Sequence, residues 1–207
     1  RLLFPKIEKQ LPVYLSEEEV EKLLMIAQED TSLKGTRNLV MLHLLYASGM
    51  RISELVQMTS DQYHPDTGYL SINGKGNKQR EVPLPQSVST TFRYYVEEVY
   101  PHLVPTAAQA SGKRYLFASV RKGKLQHMTR QTFWVLLKTI LRKSGIRKEV
   151  SPHTLRHSLA THLLRAGADI RSLQLLLGHE QIDTVEIYTH IDTQQLRKIY
   201  DAKHPRA

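Results

Sequence analysis

From Ser16 to Gly178 the chain reads as a series of helices with marked ends, broken by one short segment that alternates like a strand. This pattern limits the possible folds more than any other feature of the sequence. Ser16 followed by Glu17, Glu18 and Glu19 is a capping box, a hydroxyl at the N-cap with Glu three residues on. Val20, Leu23, Leu24 and Ala27 then recur at helical spacing. Residues 35–48 carry a second apolar stripe, Leu39, Leu42, Leu45 and Tyr46, which Gly49 ends or bends. A short helix is expected from about Ser53, and further helices over about 86–99, 129–144, 152–166, 169–177, 183–190 and 193–200. The break covers residues 68–84. Tyr69-Leu70-Ser71-Ile72 alternates as a strand, Asn73 to Lys78 supply Gly- and Asn-rich turn chemistry, and Glu81-Val82-Pro83-Leu84 is the return strand. Pro83 lacks an amide donor, which implies a sheet edge. Residues 101–125 read as a looser segment around one strand, Tyr115-Leu116-Phe117. The expected fold class is mainly α with a small antiparallel β-sheet (α+β).

The chain has 207 residues, 41% of them hydrophobic, enough for one domain with its own core. Residues 1–15 contain two prolines and no helical period, and read as a linker or arm leading into the domain. Lys and Arg number 29 against 20 Asp and Glu, a net charge of +9, which favours a polyanionic partner such as nucleic acid. There is no cysteine, so disulfides and thiolate metal sites are excluded. No apolar run reaches the roughly 20 residues of a membrane span, and residues 1–15 hold no signal-peptide core. The first residue is Arg1 rather than Met, which reads as a piece of a longer protein cut at a domain boundary.

Three segments carry candidate chemistry. In Ser151-Pro152-His153-Thr154-Leu155-Arg156-His157, Ser151 suits an N-cap and Pro152 the first helical position. His153 and Arg156 then share a face of the first turn, where the positive end of the helix dipole makes an anion site. Leu155, Leu159 and Leu163 fall on the core face. The spacing of His153 and His157 would also suit a metal, but no Glu follows His153 and Arg156 would set a fixed positive charge beside the ion. His157 and His162 therefore read as core or supporting histidines, and no metal or other cofactor is expected. In Asp169 to His179, Asp169 caps a helix, Gly178 closes it and His179 follows. Asp183 and Thr184 open a short helix that carries Tyr188, one of 10 tyrosines in the chain. In Ala47 to Leu55, Arg51 follows a glycine break, and Glu54, three residues on, can orient its guanidinium or form an ordinary surface pair with it.

Taken together, these segments resemble the tyrosine recombinases, most closely the Xer-type branch. ASGMRISELVQM resembles the family's first arginine box, INGKGNKQREVPL its β-hairpin lysine segment, SPHTLRHSLATHLL its His-x-x-Arg box, and LLLGHEQIDTVEIYTHI its last box. The tail RKIYDAKHPRA resembles Xer-type C-termini, so the likeness runs over essentially the whole chain. It implies the tyrosine recombinase catalytic-domain fold over 16–191, a C-terminal helix and tail over 192–207 that dock on a neighbouring subunit, and no N-terminal core-binding domain in this chain. It implies an active site of Arg51, Lys75, His153, Arg156, His179 and the nucleophile Tyr188, supported by Glu54. Lys75, in the Gly-Lys-Gly position, is favoured over Lys78 as general acid. Lys78, Arg80, Arg121, Lys122 and Arg130 are expected to contact DNA.

The implied function is site-specific DNA recombination through a 3′-phosphotyrosyl intermediate without metal, serving chromosome or plasmid dimer resolution. The alternatives are a phage or mobile-element integrase and a DNA-binding module without catalysis. The implied partners are a double-stranded recombination site, further copies of the chain (a tetramer in the synapse) or a second Xer-type recombinase, and a DNA translocase as activator. The expected location is the cytoplasm, at the nucleoid of a bacterium or archaeon.

Overall fold

A computed structural model describes residues 13–74, 79–104, 114–121, 124–178, 197, 201–202 and 204–205. Helix α1 (Glu17–Gln28) begins on the expected capping box, with the Glu19 amide donating to the Ser16 hydroxyl and the Ser16 amide to the Glu19 carboxylate. Helix α2 (Leu33–Ser48) is the hub. Every residue from Val40 to Ser48 is buried, so this helix is covered on all sides. It packs against α1, against α4 (Gln86–Tyr94) with its continuation, and against α7 (Pro152–Arg165). Each fully buried leucine in such a setting contributes about 1.5–3 kcal/mol. The remaining helices are α3 (Ile52–Val56), α5 (Tyr100–Leu103), α6 (Arg130–Ser144) and α8 (Ile170–Leu177).

The sheet is three-stranded and antiparallel, in the order β1 (Tyr63–His64), β2 (Tyr69–Asn73), β3 (Gln79–Pro83). Pro83 lies on the outer strand β3, opposite Tyr69, where its missing amide breaks no ladder. The register sets Ile72 opposite Arg80 and Leu70 opposite Val82. Arg80 and Val82 therefore point to the same, inner side of β3. Helix α8 packs on this strand, and that contact builds the site described below.

Two expectations need correction. Residues 86–99 are not one α-helix: α4 gives way to a π-turn, Tyr95–Val99, and the helix restarts as α5 with Pro101 in its first turn, where a missing amide is harmless. Tyr115-Leu116-Phe117 is not a paired strand. Tyr115 forms an isolated bridge to Thr59, while Leu116 and Phe117 are buried in the core and the Tyr95 hydroxyl donates to the Leu116 carbonyl at 2.7 Å. The ladder forms beyond them, between β4 (Ala118–Arg121) and β5 (Lys124–His127).

The residues just ahead of α1 are docked on the domain. Leu15 is fully buried and its amide donates to the Ser158 hydroxyl, while the Tyr14 ring packs edge-on against His157 and His162. His162 is a core histidine, in hydrogen-bond contact with the Tyr46 hydroxyl at 2.8 Å. At the other end, His204 is buried against Tyr46. Among the described residues no helix is long and apolar enough to cross a membrane.

Candidate active site

Helices α2 and α8 both end on a glycine in the left-handed region, Gly49 at φ +59° and Gly178 at φ +64°. Backbone favours glycine at both positions, and space adds a hard limit at Gly49 and a tight fit at Gly178. A Cβ on Gly49 would lie 2.6 Å from Leu177 Cδ2, and one on Gly178 would lie 3.2 Å from Arg80 Cδ. The close approach of these two helix ends brings together three distant parts of the chain. Gly49 hands the chain directly to Arg51, the N-cap of α3. Gly178 brings the α8 carbonyls against β3 and the first turn of α7.

Those carbonyls hold three guanidiniums. Arg80 Nε donates to Leu176 O at 3.0 Å, an Arg156 terminal nitrogen donates to Leu177 O, and Arg51 donates to Gly178 O at 3.3 Å. Three successive carbonyls at a helix C-terminus have no intrahelical amide to accept from, and they carry the negative end of the dipole. Arg156 also donates to Gly49 O. These contacts explain how like charges converge without an equal number of carboxylates.

The carboxylate present is Glu54. Its Oε2 accepts from the Arg51 amide at 2.7 Å and from Arg80 at 2.8 Å; its Oε1 accepts from the Arg51 side chain at 3.0 Å and from Arg80 at 3.2 Å. Burial alone would raise the Glu54 pKa, but the hydrogen bonds and charge of Arg80, with the hydrogen bonds of Arg51, outweigh it and hold the carboxyl below its ordinary value. Burial, and then the neighbouring Arg51 and Arg80 charges, draw Arg156 down to about 10, with Glu54 opposing. Arg156 therefore stays charged at neutral pH, with two like charges beside it. Among the described residues, three guanidiniums face one carboxylate in this cluster, and an added anion would relieve their mutual repulsion.

Of the residues singled out in the sequence, Arg51, Glu54 and Arg156 meet in this cluster. The Arg51 side chain keeps 36% of its surface among the described residues, so part of its guanidinium faces outward, whereas Glu54 keeps 7%. His153 leaves the same turn of α7 as Arg156, is exposed, and lines a cavity of about 650 Å³ beside Trp134, Lys148 and His157. Arg130 is exposed at the start of α6. Arg121 lies in β4 by its backbone. Lys75, Lys78, Lys122, His179 and Tyr188 lie outside the described residues, as do most of the expected helices over 183–190 and 193–200. Among the described residues no group of three or more His, Asp or Glu is arranged to hold a metal ion.

Arg80, expected to contact DNA, turns its side chain into the protein. Its side chain keeps 12% of its surface and all three of its nitrogens are engaged by Glu54 and Leu176 O. The signal for this was available in the sequence: strand alternation puts Arg80 in phase with Val82, on the buried side.

The Phage integrase family model matches residues 13–195. The tyrosine recombinase XerD of Listeria innocua is 43% identical over 203 residues, covering 98% of this chain and 66% of that protein. The chain thus spans about two thirds of that relative's length. Among solved structures, the XerA recombinase is similar with a TM-score of 0.71 at 31% identity, over 96% of this chain and 67% of that one. The XerH site-specific recombinase, bound to its palindromic difH substrate in a post-cleavage complex, is similar with a TM-score of 0.70 at 29% identity, over 91% of this chain and 52% of that one.

Proposed function

Because this chain belongs to the phage integrase family of tyrosine recombinases, we propose that it cuts and rejoins double-stranded DNA at a specific site, through a covalent bond between Tyr188 and a 3′-phosphate. The observation that supports this reading best is the convergence of Arg51 and Arg156, from two distant segments, on one cluster of three guanidiniums. Such a pair suits a phosphodiester. Two guanidiniums can fork onto its non-bridging oxygens, which gain negative charge as phosphorus becomes five-coordinate, so the arginines favour the transition state over the ground state.

The remaining roles follow from the chemistry each step needs. A phenol with an ordinary pKa near 10 is protonated at neutral pH, so Tyr188 needs an acceptor, and His153 is the candidate. The new bond joins Tyr188 oxygen to phosphorus, and the bond from phosphorus to the 5′-oxygen breaks. Lys75 supplies the proton that the departing 5′-oxygen takes up, and His179 donates a further hydrogen bond to the phosphate. The phosphotyrosine keeps the energy of the broken bond, so a second DNA 5′-hydroxyl can attack it without ATP.

With XerD recombinases among its relatives, the proposed reaction serves dimer resolution, carried out by four protomers or with a second recombinase; the tail residues Arg197 and His204 pack on Tyr69 and Tyr46 of their own chain, so a contact of the tail with a neighbouring subunit would have to form on assembly. The proposed place of action is the cytoplasm, on the nucleoid. A duplex nicked just past the cleavage point tests the reading. The nick releases a short fragment, the reverse reaction is lost, and the protein–DNA adduct accumulates. The adduct is expected to form in EDTA and to be absent with Tyr188→Phe. Adduct formed equally by Tyr188→Phe would refute the assignment, and DNA binding without any adduct would favour a non-catalytic module.

A further inference from the structure

We propose that Arg80 is a positioning residue of the strand-cleavage site, locking the Glu54 carboxylate to the end of α8 and thereby fixing the direction of Arg51. The proposal rests on the recombinase reading above and assigns a part that the resemblance did not give to Arg80.

Three observations carry it. First, the Arg80 guanidinium faces the protein with all three of its nitrogens. Both terminal nitrogens fork onto the two Glu54 oxygens at 3.2 and 2.8 Å, and Nε reaches Leu176 O at 3.0 Å. A phosphate grip would present these donors outward. Second, Glu54 divides its oxygens evenly between two arginines, each oxygen taking one bond from Arg51 and one from Arg80. Without Arg80, Glu54 keeps only the contacts to Arg51 and is free to turn about them, and the Arg51 guanidinium turns with it. Third, Gly178 lies so close to the Arg80 stem that a Cβ there would be 3.2 Å from both Cδ and a terminal nitrogen. The chain enters the segment of His179 and Tyr188 directly from that glycine. Arg80 thus joins the return strand of the lysine hairpin, the first arginine and the root of the nucleophile segment.

The geometry also says why the residue is arginine. A planar fork can span both carboxylate oxygens while its third nitrogen reaches a carbonyl, whereas a lysine ammonium is a single point of charge that cannot reach all three. A charge-conserving replacement is therefore not a rescue.

The experiment compares the unmodified chain with Arg80→Met and Arg80→Lys on a nicked duplex, reading adduct rate at saturating DNA, DNA affinity at several salt concentrations, and rate against pH. Both variants are expected to lose on the order of 100-fold in rate at saturation, the size of effect produced by small misplacements of catalytic groups. Affinity and its salt slope stay as in the unmodified chain. The acid limb of the rate profile moves to higher pH, because Glu54 loses Arg80, the strongest of the partners holding its carboxyl ionised, while Arg51 and Arg156 remain beside it. Arg80→Lys keeps the charge and the stem, so it tests the fork even if Arg80→Met folds poorly.

An unchanged rate at saturation with weaker, less salt-sensitive binding would overturn the proposal in favour of a phosphate contact. Recovery by Arg80→Lys with an unmoved pH profile would overturn it in favour of a general charge effect. If the unmodified chain forms no adduct, the recombinase reading falls and this role falls with it. If it forms one and Arg80→Met matches it, only the role of Arg80 falls.

Discussion

Gly49 and Gly145 end two helices in nearly the same backbone conformation, at φ +59° and +69°, yet only Gly49 touches the site. Replacing each by alanine separates backbone strain from contact. The left-handed conformation costs an L-residue about 1–2 kcal/mol at either position. At Gly145 nothing lies within 4 Å of the added Cβ, so that strain is the whole effect. At Gly49 the Cβ would lie 2.6 Å from Leu177 Cδ2 and 3.0 Å from Leu159 Cδ2, both leucines being buried. Overpacking of this kind adds about 1–3 kcal/mol. Gly145→Ala is thus expected to lose ~1–2 kcal/mol and Gly49→Ala ~2–5 kcal/mol in urea unfolding, the sum of the same two terms. The functional arm follows from Gly49 O accepting from Arg156. Moving that carbonyl turns the guanidinium, so Gly49→Ala slows adduct formation beyond its stability loss while Gly145→Ala leaves it unchanged. Equal losses of stability and of rate in the two variants would refute the claim that helix-end packing sets the arginine geometry.

Glu54→Gln removes the carboxylate that pairs with Arg51 and Arg80; breaking such a buried pairing costs about 3–5 kcal/mol, so a clear drop in the urea midpoint is expected, with slower adduct formation, and an unchanged midpoint would contradict it. Stability should also fall with acid in two stages. Burial first of all, with the Arg165 charge adding to it, holds His162 below its ordinary 6.5 against Glu17 and Glu18, so its contribution is complete above that value and is lost as pH falls below it. Glu54 is held below its ordinary 4.5, so its contribution is complete above 4.5 and is lost as pH falls toward the folded value. His162→Gln should flatten the first stage and Glu54→Gln the second, as read by urea midpoints against pH. Tyr46→Phe takes away the hydroxyl that meets buried His162 at 2.8 Å; an unpaired buried polar group costs about 1–3 kcal/mol, which unfolding measures, while adduct formation per folded molecule is expected to hold.

Local signals carried most of the fold. Ser16, Ser151, Asp169, Gly49 and Gly178 cap or close helices through groups within four residues, and each lies where its side chain or its absence dictates. What depended on partners far along the chain was less legible. The β4–β5 ladder has two short alternating runs around Gly123, but the apolar Tyr115-Leu116-Phe117 gave the stronger signal and belongs to the core instead. Strand β1 spans only Tyr63 and His64, too short for any period to show. In the site, Arg51 with Glu54 and His153 with Arg156 were readable because helical spacing joins each pair. The clamp of α8 carbonyls on Arg80, Arg156 and Arg51 was not, because its acceptors are backbone atoms and leave no mark in residue identity. The charge of Arg80 suggested DNA, while its phase on β3 with Val82 already pointed it inward.

The central claim concerns one covalent bond. Protein incubated with a nicked duplex, digested and analysed by mass spectrometry, should yield a single nucleotide-bearing peptide, with the 3′-phosphate on Tyr188 and a free 5′-hydroxyl on the released strand. Attachment at another residue, or a 5′-phosphate link, would contradict the account.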